Sequence, residues 1–325
     1  MNQLSGPVPS SLGNMTDLEY LYLRENQLAS SIPGFLGNLM NLVVLQLDTN
    51  QFTDFIPDNL CRGGSLQNLT MAGNNLTGFI PGSMRNCTSL LRVRLQENQL
   101  TGNISDSFGV YPNLDFMDLS FNKFHGEILV NWGSCRRLRD LRIAGNNITG
   151  SLPSEIGNAT ELQGLDLSSN GLIGEIPKEL RKLTSLVRLN LSRNQLSGSI
   201  NPEIASLSGL QRLDLSRNRL NSSIPESIGQ LADLFHLDLS NNRLSQEIPG
   251  QIRMLTHLSE LDLNNNSLIG EIPAQFSSLQ SLLKLDLSHN NLSGPIYAIF
   301  EDMPGLATVD ISYNEFQGPV PIAPS

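Results

Sequence analysis

Asparagine recurs every 24 residues along the chain, at positions 2, 26, 50, 74, 98, 122, 146, 170, 194, 218, 242, 266, 290 and 314, with no insertion or deletion to break the register. Fixed offsets from these asparagines carry apolar residues. Around Asn26 they are Leu18, Leu21, Leu23, Leu28, Ile32, Leu36, Leu39 and Leu42; around Asn242 they are Leu234, Leu237, Leu239, Leu244, Ile248, Ile252, Leu255 and Leu258. Such a chain cannot gather its apolar residues into one central core. Each unit has to stack on the next and share a core with it.

Written out, the unit is LxxLxLxxNxLxGxIPxxLxxLxx, a leucine-rich repeat. Its LxL segment reads as a short strand that lies about 4.8 Å from its equivalent in the next unit. The fold class is therefore an α/β solenoid of 24-residue period, a curved right-handed superhelix with a parallel sheet on its concave face. It is read as one domain over residues 1–325, thirteen complete repeats after a partial first one. The Asn amide carries both donors and an acceptor, so it can satisfy backbone groups of its own turn and the adjacent one. Proline follows seven residues later in ten units (Pro9, Pro33, Pro57, Pro81, Pro153, Pro177, Pro225, Pro249, Pro273, Pro321), with Ser105, Leu129, Asn201 and Tyr297 in its place elsewhere. An extended flank that tolerates a missing donor is its expected setting. The chain starts at a turn Asn and ends on "GPVPIAPS", which suggests truncation at both ends. In that reading Leu4, Val8, Leu12 and Met15 have no preceding strand to cover them, and the end coils fray.

The 31 acidic residues against 21 basic ones give a net charge of −10, which argues against nucleic acid as a partner. No apolar run approaches the roughly 18 residues of a membrane span, and "MNQLSGPVPS" lacks the regions of a signal peptide. Four scattered histidines, with no HExxH, Gly-x-Ser-x-Gly or phosphate loop, leave no catalytic or metal-ligating candidate, and no cofactor is expected. Cys61 and Cys87 fall on adjacent coils two residues out of register, so a disulfide and a pair of free thiols are both open; Cys135 reads as a small buried hydrophobe. Asn-x-Ser/Thr sequons at Asn14, Asn68, Asn75, Asn86, Asn103, Asn147, Asn158, Asn190, Asn221, Asn265 and Asn291 suit a secreted surface, although the repeat's own "NLTG" and "NLSG" generate several of them.

Two columns of the sheet depart from their default in the first half of the chain. Four residues before each ladder Asn the series runs Tyr22, Gln46, Thr70, Arg94, Asp118, Arg142, Asp166, Asn190 and then uninterrupted Asp; two residues before it runs Arg24, Asp48, Ala72, Gln96, Ser120, Ala144 and then nearly uniform Ser. Both columns are expected to face solvent, so folding does not impose this variety. A ligand surface explains it, and drift of unconstrained positions is the alternative. In the ligand reading Tyr20, Tyr22, Val44 and Phe116 offer apolar contact, Gln46, Asn68 and Thr70 offer hydrogen bonds, and Arg92, Arg94, Asp118 and Arg142 offer charge. Five strand steps of about 4.8 Å accommodate an extended segment of roughly seven residues. A glycan on Asn68 would obstruct it.

The "LxGxIP" part resembles the plant-specific repeat in the extracellular regions of plant receptor-like kinases and receptor-like proteins, and the resemblance covers all 325 residues. A narrower one lies in residues 58–120: "DNLCRGGSLQNL", "RVR" and "FGVYPNL" together are most like the male-discoverer-interacting receptor-like kinases. The resemblance implies an extracellular module that binds a short secreted peptide on its concave face, pairs with a leucine-rich repeat co-receptor kinase near its C-terminal repeats, and signals in immunity or development. It implies a membrane helix and a serine/threonine kinase outside this chain, which itself would not be an enzyme. It also implies that Arg92 and Arg94, matching the family's Arg-x-Arg pair, receive the peptide's C-terminus. The family's paired-cysteine caps are absent. A second class, inhibitors of secreted cell-wall hydrolases of the polygalacturonase-inhibitor type, shares the repeat; thirteen full units and the "RVR" element favour the receptor.

Overall fold

The computed structural model describes residues 2–296, 300, 303 and 305–318; Tyr297 and Pro321 of the proline column lie outside them. The chain divides into two compact units, Met1–Gly171 and Leu172–Ser325. Both are built by one rule.

In the first unit the LxL segments form seven parallel strands, Tyr20–Tyr22, Val44–Gln46, Asn68–Thr70, Arg92–Arg94, Phe116–Asp118, Asp140–Arg142 and Gly164–Asp166. Paired residues are one repeat apart, as in Tyr20 with Val44, Asn68 with Arg92 and Phe116 with Asp140. The second unit has six such strands, Arg188–Asn190, Arg212–Asp214, His236–Asp238, Glu260–Asp262, Lys284–Asp286 and Thr308–Asp310. The middle residue of each points inward. Leu45, Leu69, Val93, Met117 and Leu141 are fully buried, and the other leucine columns fill the space behind them.

The ladder asparagines close each coil onto its neighbour. The Asn98 side chain accepts from Leu76 N–H at 3.0 Å and donates to the carbonyls of Leu95 at 3.1 Å and Met71 at 2.9 Å. Asn50, Asn74, Asn122, Asn146 and Asn218 repeat the pattern. One amide thus accepts once and donates to carbonyls on two coils, whereas a carboxylate has no donor and a hydroxyl only one.

The proline column has the extended backbone expected of it, as at Pro33 and Pro153, and each described proline before a 3-10 turn is also the residue that opens that turn. Pro33 precedes Gly34–Asn38 with φ of −67°, and its carbonyl accepts from Leu36 N–H at 3.1 Å. The fixed φ suits that entry and no donor is lost. Where proline is missing, Leu129 opens Val130–Ser134, Asn201 caps Pro202–Ser206 by accepting from Glu203 N–H at 2.9 Å, and Ser105 falls inside a short α-helix, Ile104–Ser107, capped by Asn103. Further short strands line the other flank of each unit, among them Gln99–Asn103 and Lys123–Glu127 in the first and Gln195–Gly198 and Arg219–Ser222 in the second.

Cys61 and Cys87 form a disulfide with their Cα atoms 5.5 Å apart, and Cys135 is buried and free. Burial pushes the Cys135 thiol pKa up. The "FGVYPNL" stretch sends Phe108, Tyr111 and Leu114 into the core: all three are fully buried, and Phe108 meets Phe124 and Trp132 edge-on at 6.3 Å. The Tyr111 hydroxyl donates to Met84 O at 3.0 Å, and burial pushes its pKa up to about 12. At the first coil Leu4 and Met15 are exposed and Leu12 is half-buried, but Val8 is buried, so only part of that set lacks cover.

Candidate functional site

The candidate residues all lie on the strands of the first unit. Alternation within Arg92–Arg94 buries Val93 completely and turns both arginines to the open face. Arg92 is exposed and Arg94 half-buried. Register places Asn68 and Phe116 on either side of Arg92, and Thr70 and Asp118 on either side of Arg94. The Arg92 guanidinium carbon stands 4.6 Å from the Phe116 ring centroid, and that of Arg142 stands 5.3 Å from it on the other side. Phe116 is therefore a shelf between two cations.

The arginines differ in their ionic partners. Arg142 holds Asp140 in a two-pronged pair, Nε to Oδ1 at 2.7 Å and Nη2 to Oδ2 at 3.2 Å, and this hydrogen bonding pushes the Arg142 pKa up. Among the described residues neither Arg92 nor Arg94 forms an ion pair. Two neighbouring carboxylates are otherwise engaged: Asp140 with Arg142, and the buried Asp118, which accepts from Ser120 N–H at 3.0 Å.

Three proposed contact residues are corrected by burial. Val44 is 5% exposed, Thr70 2% and Asp118 6%, so these side chains are packed between neighbouring coils and do not form a ligand surface. The column two residues before the ladder Asn is corrected in the same way. Asp48, Ala72, Ser120 and Ala144 are buried and do not face solvent. Their variety has a structural cause: Asp48 accepts from the Thr70 hydroxyl and from Ala72 N–H at 3.1 Å, while the Ser120 hydroxyl accepts from Ala144 N–H at 3.1 Å. Asp48 and Ser120 are thus matched to the next coil. The open surface that remains is Tyr20 and Tyr22, at 52% and 59% exposure, with Gln46, Asn68, Arg92, Arg94, Phe116 and Arg142.

At one edge of these strands lies a groove of about 700 Å³ that the columns did not reveal. Arg92 and Asn68 reach it from the sheet, and Arg136, Arg137 and Arg139 line it with Asp115 and Glu161. The signal was present in "CRRLRDLR", residues 135–142, four arginines within seven positions of an acidic chain.

Of the sequons, Asn14, Asn75, Asn86, Asn147, Asn158, Asn221, Asn265 and Asn291 are exposed. Asn103 is half-buried with its side-chain oxygen accepting from Ser105 N–H at 2.9 Å; Asn190 is half-buried and accepts from Ser192. Among the described residues no His, Cys, Asp or Glu cluster could hold a metal, and no helix is long and apolar enough to cross a membrane.

Two leucine rich repeat family profiles match the chain, one over residues 136–196, 198–244 and 256–316 and the other over 17–39 and 65–87. Comparison with curated proteins finds no match. Among solved structures the chain is similar to PEPR1 in the PEPR1–AtPEP1 structure, with a TM-score of 0.87 and 32% identity over 99% of this chain and 52% of that one. It is similar to the Arabidopsis receptor kinase HAESA, solved with the peptide hormone IDA and the co-receptor SERK1, at 0.71 and 33% over 98% and 61%. It is also similar to the plant peptide hormone receptor RGFR1 in complex with RGF2, at 0.70 and 28% over 97% and 66%. The chain spans about half to two thirds of the length of these structures.

Proposed function

We propose that this chain, which belongs to the leucine-rich repeat family, is the ligand-recognition part of a plant receptor-kinase ectodomain of the male-discoverer-interacting subtype. It takes a short secreted peptide in extended form across the strands from Tyr20–Tyr22 to Asp140–Arg142. The tyrosines and Phe116 receive apolar side chains, and Gln46 and Asn68 receive hydrogen bonds. Arg92 and Arg94 hold the peptide's terminal carboxylate. A leucine-rich repeat co-receptor kinase is the second partner, and the setting is the extracellular side of the plasma membrane. Catalysis belongs to a kinase outside this chain.

One observation carries the reading. Two arginines of one strand turn to an open face and, among the described residues, no anion is paired to either, while Arg142 beside them is engaged with Asp140. Planar guanidinium donors suit a carboxylate gripped by two prongs. The similarity to ectodomains solved with peptide hormones supports it. The inhibitor of a cell-wall hydrolase gains no support from those neighbours.

Calorimetry of this chain against secreted-peptide candidates, each as free acid and as C-terminal amide, tests it. A binding free acid should lose ten- to a hundredfold in affinity on amidation, and about as much with Arg92→Ala/Arg94→Ala; in that double variant amidation should have little further effect. Equal loss on amidation in both proteins would remove the arginine fork from the mechanism.

A further inference from the structure

The groove beside the sheet has an arrangement that neither folding nor the peptide channel accounts for. It gathers Arg92, Arg136, Arg137 and Arg139 against Asp115 and Glu161, four cations to two anions in a chain of net charge −10. Like charges crowded at one place repel, so an excess of this kind is costly unless something anionic offsets it. Two of the arginines are held in place from the preceding coil. Arg137 Nη1 donates to Asn113 Oδ1 at 3.2 Å and Arg139 Nη1 to Asp115 Oδ1 at 3.1 Å. Arg136 is exposed and, among the described residues, its guanidinium has no hydrogen bond or ion pair. The half-buried Leu91 forms part of the lining. A volume of about 700 Å³ is of the size that encloses a few residues.

We propose that this groove is a second anion-binding subsite, which binds an acidic segment, carboxylate-bearing side chains in succession, of the peptide that the concave face receives. The proposal rests on the peptide-receptor reading and extends it to a composition. The observation that selects a peptide over another polyanion is continuity: Arg92 and Asn68 belong to the sheet face and to the groove at once, so one chain can pass from one to the other without crossing a barrier. Arg136 and Arg137 supply charge and donors without an internal carboxylate partner, and Arg139, tied to Asp115, sets the wall.

The probe is N-acetylated, C-amidated tri-glutamate, which has no terminal carboxylate for the Arg92/Arg94 pair to grip. Tri-glutamine with the same ends is the neutral control. Titration followed by calorimetry should show binding of tri-glutamate to the full chain, weakening as salt is raised, and none of tri-glutamine. The variant Arg136→Gln/Arg137→Gln, whose integrity is checked by an unchanged thermal melt, should bind it at least fivefold more weakly. Equal binding to the variant, or no binding to the parent chain, overturns the subsite. Tighter binding of tri-galacturonate through the same two arginines overturns the peptide assignment in favour of a polyuronate. Because the comparison turns on Arg136 and Arg137, which the fork does not use, these results stand apart from the amidation test, and either site can fail alone.

Discussion

Arg92 lies over Phe116 with its guanidinium carbon 4.6 Å from the ring centroid, and register sets the two residues directly opposite each other on neighbouring strands. The ring face attracts the cation without neutralising it, so Arg92 is oriented yet still able to receive an anion. A carboxylate partner would have oriented it at the expense of that capacity.

Replacing this shelf should therefore weaken the fork without removing it. Phe116→Leu keeps the apolar bulk and loses the ring face, so a free-acid peptide should bind about two- to fivefold more weakly, a loss of about 0.5–1 kcal/mol. Its amide should lose less. Calorimetry on both forms checks the difference, and equal losses would mean that Phe116 acts only as a contact for the peptide.

The asparagine ladder makes a prediction about stability. In Asn98→Ala the Leu76 N–H loses its partner, while the carbonyls of Leu95 and Met71 each lose one donor and keep another, from Asn122 and Asn74. A buried backbone donor left unpaired costs about 1–3 kcal/mol, so a loss of that size is expected in chemical denaturation. Asn98→Asp should be as damaging, because its carboxylate would face two carbonyl oxygens.

Reduction of the Cys61–Cys87 disulfide should lower the stability of the first unit. The bridge spans 26 residues of sequence, for which loop-closure entropy gives about 3 kcal/mol. Thermal melts with and without reductant, compared with Cys61→Ser/Cys87→Ser, check it. Cys135, buried and free, should react with thiol reagents only on unfolding.

In the second unit the aspartate column sets a pH dependence. Asp262 pairs in register with Asp238 and Asp286, and burial, reinforced by these neighbours, pushes its pKa up from 3.8 to about 6. A carboxyl whose pKa is higher folded than unfolded favours the native state while protonated. Its contribution is complete below pH 3.8 and is lost as pH rises through about 6. Asp262→Asn keeps the oxygen that accepts from Asn264 N–H at 3.1 Å. It should raise stability at pH 7 by about 1 kcal/mol, the partial exposure of the group having been allowed for. It should also remove that share of the slope between pH 4 and 6. Urea titrations of parent and variant at pH 4, 5, 6 and 7 measure it.

The amino-acid sequence by itself determined the repeat, the strands and the ladder. A 24-residue period with apolar residues at fixed offsets admits one kind of stacking, and the period is local information that each unit states again. The unpaired state of Arg92 and Arg94 was not legible, since it depends on Asp140 turning to Arg142 and on Asp118 being buried. Val44, Thr70 and Asp118 stand in columns that read as open surface, yet their burial follows from side chains on the adjacent coil. The proline's place at the entry to a 3-10 turn depends in the same way on local backbone geometry that the spacing does not state. The groove of Arg136, Arg137 and Arg139 was written in the sequence as a run of arginines, but its walls come from residues 24 or more positions away, such as Asn113 and Asp115. Periodicity specifies which residues share a column. Only the tertiary structure decides what each one meets on the next coil, because that contact depends on both side chains at once.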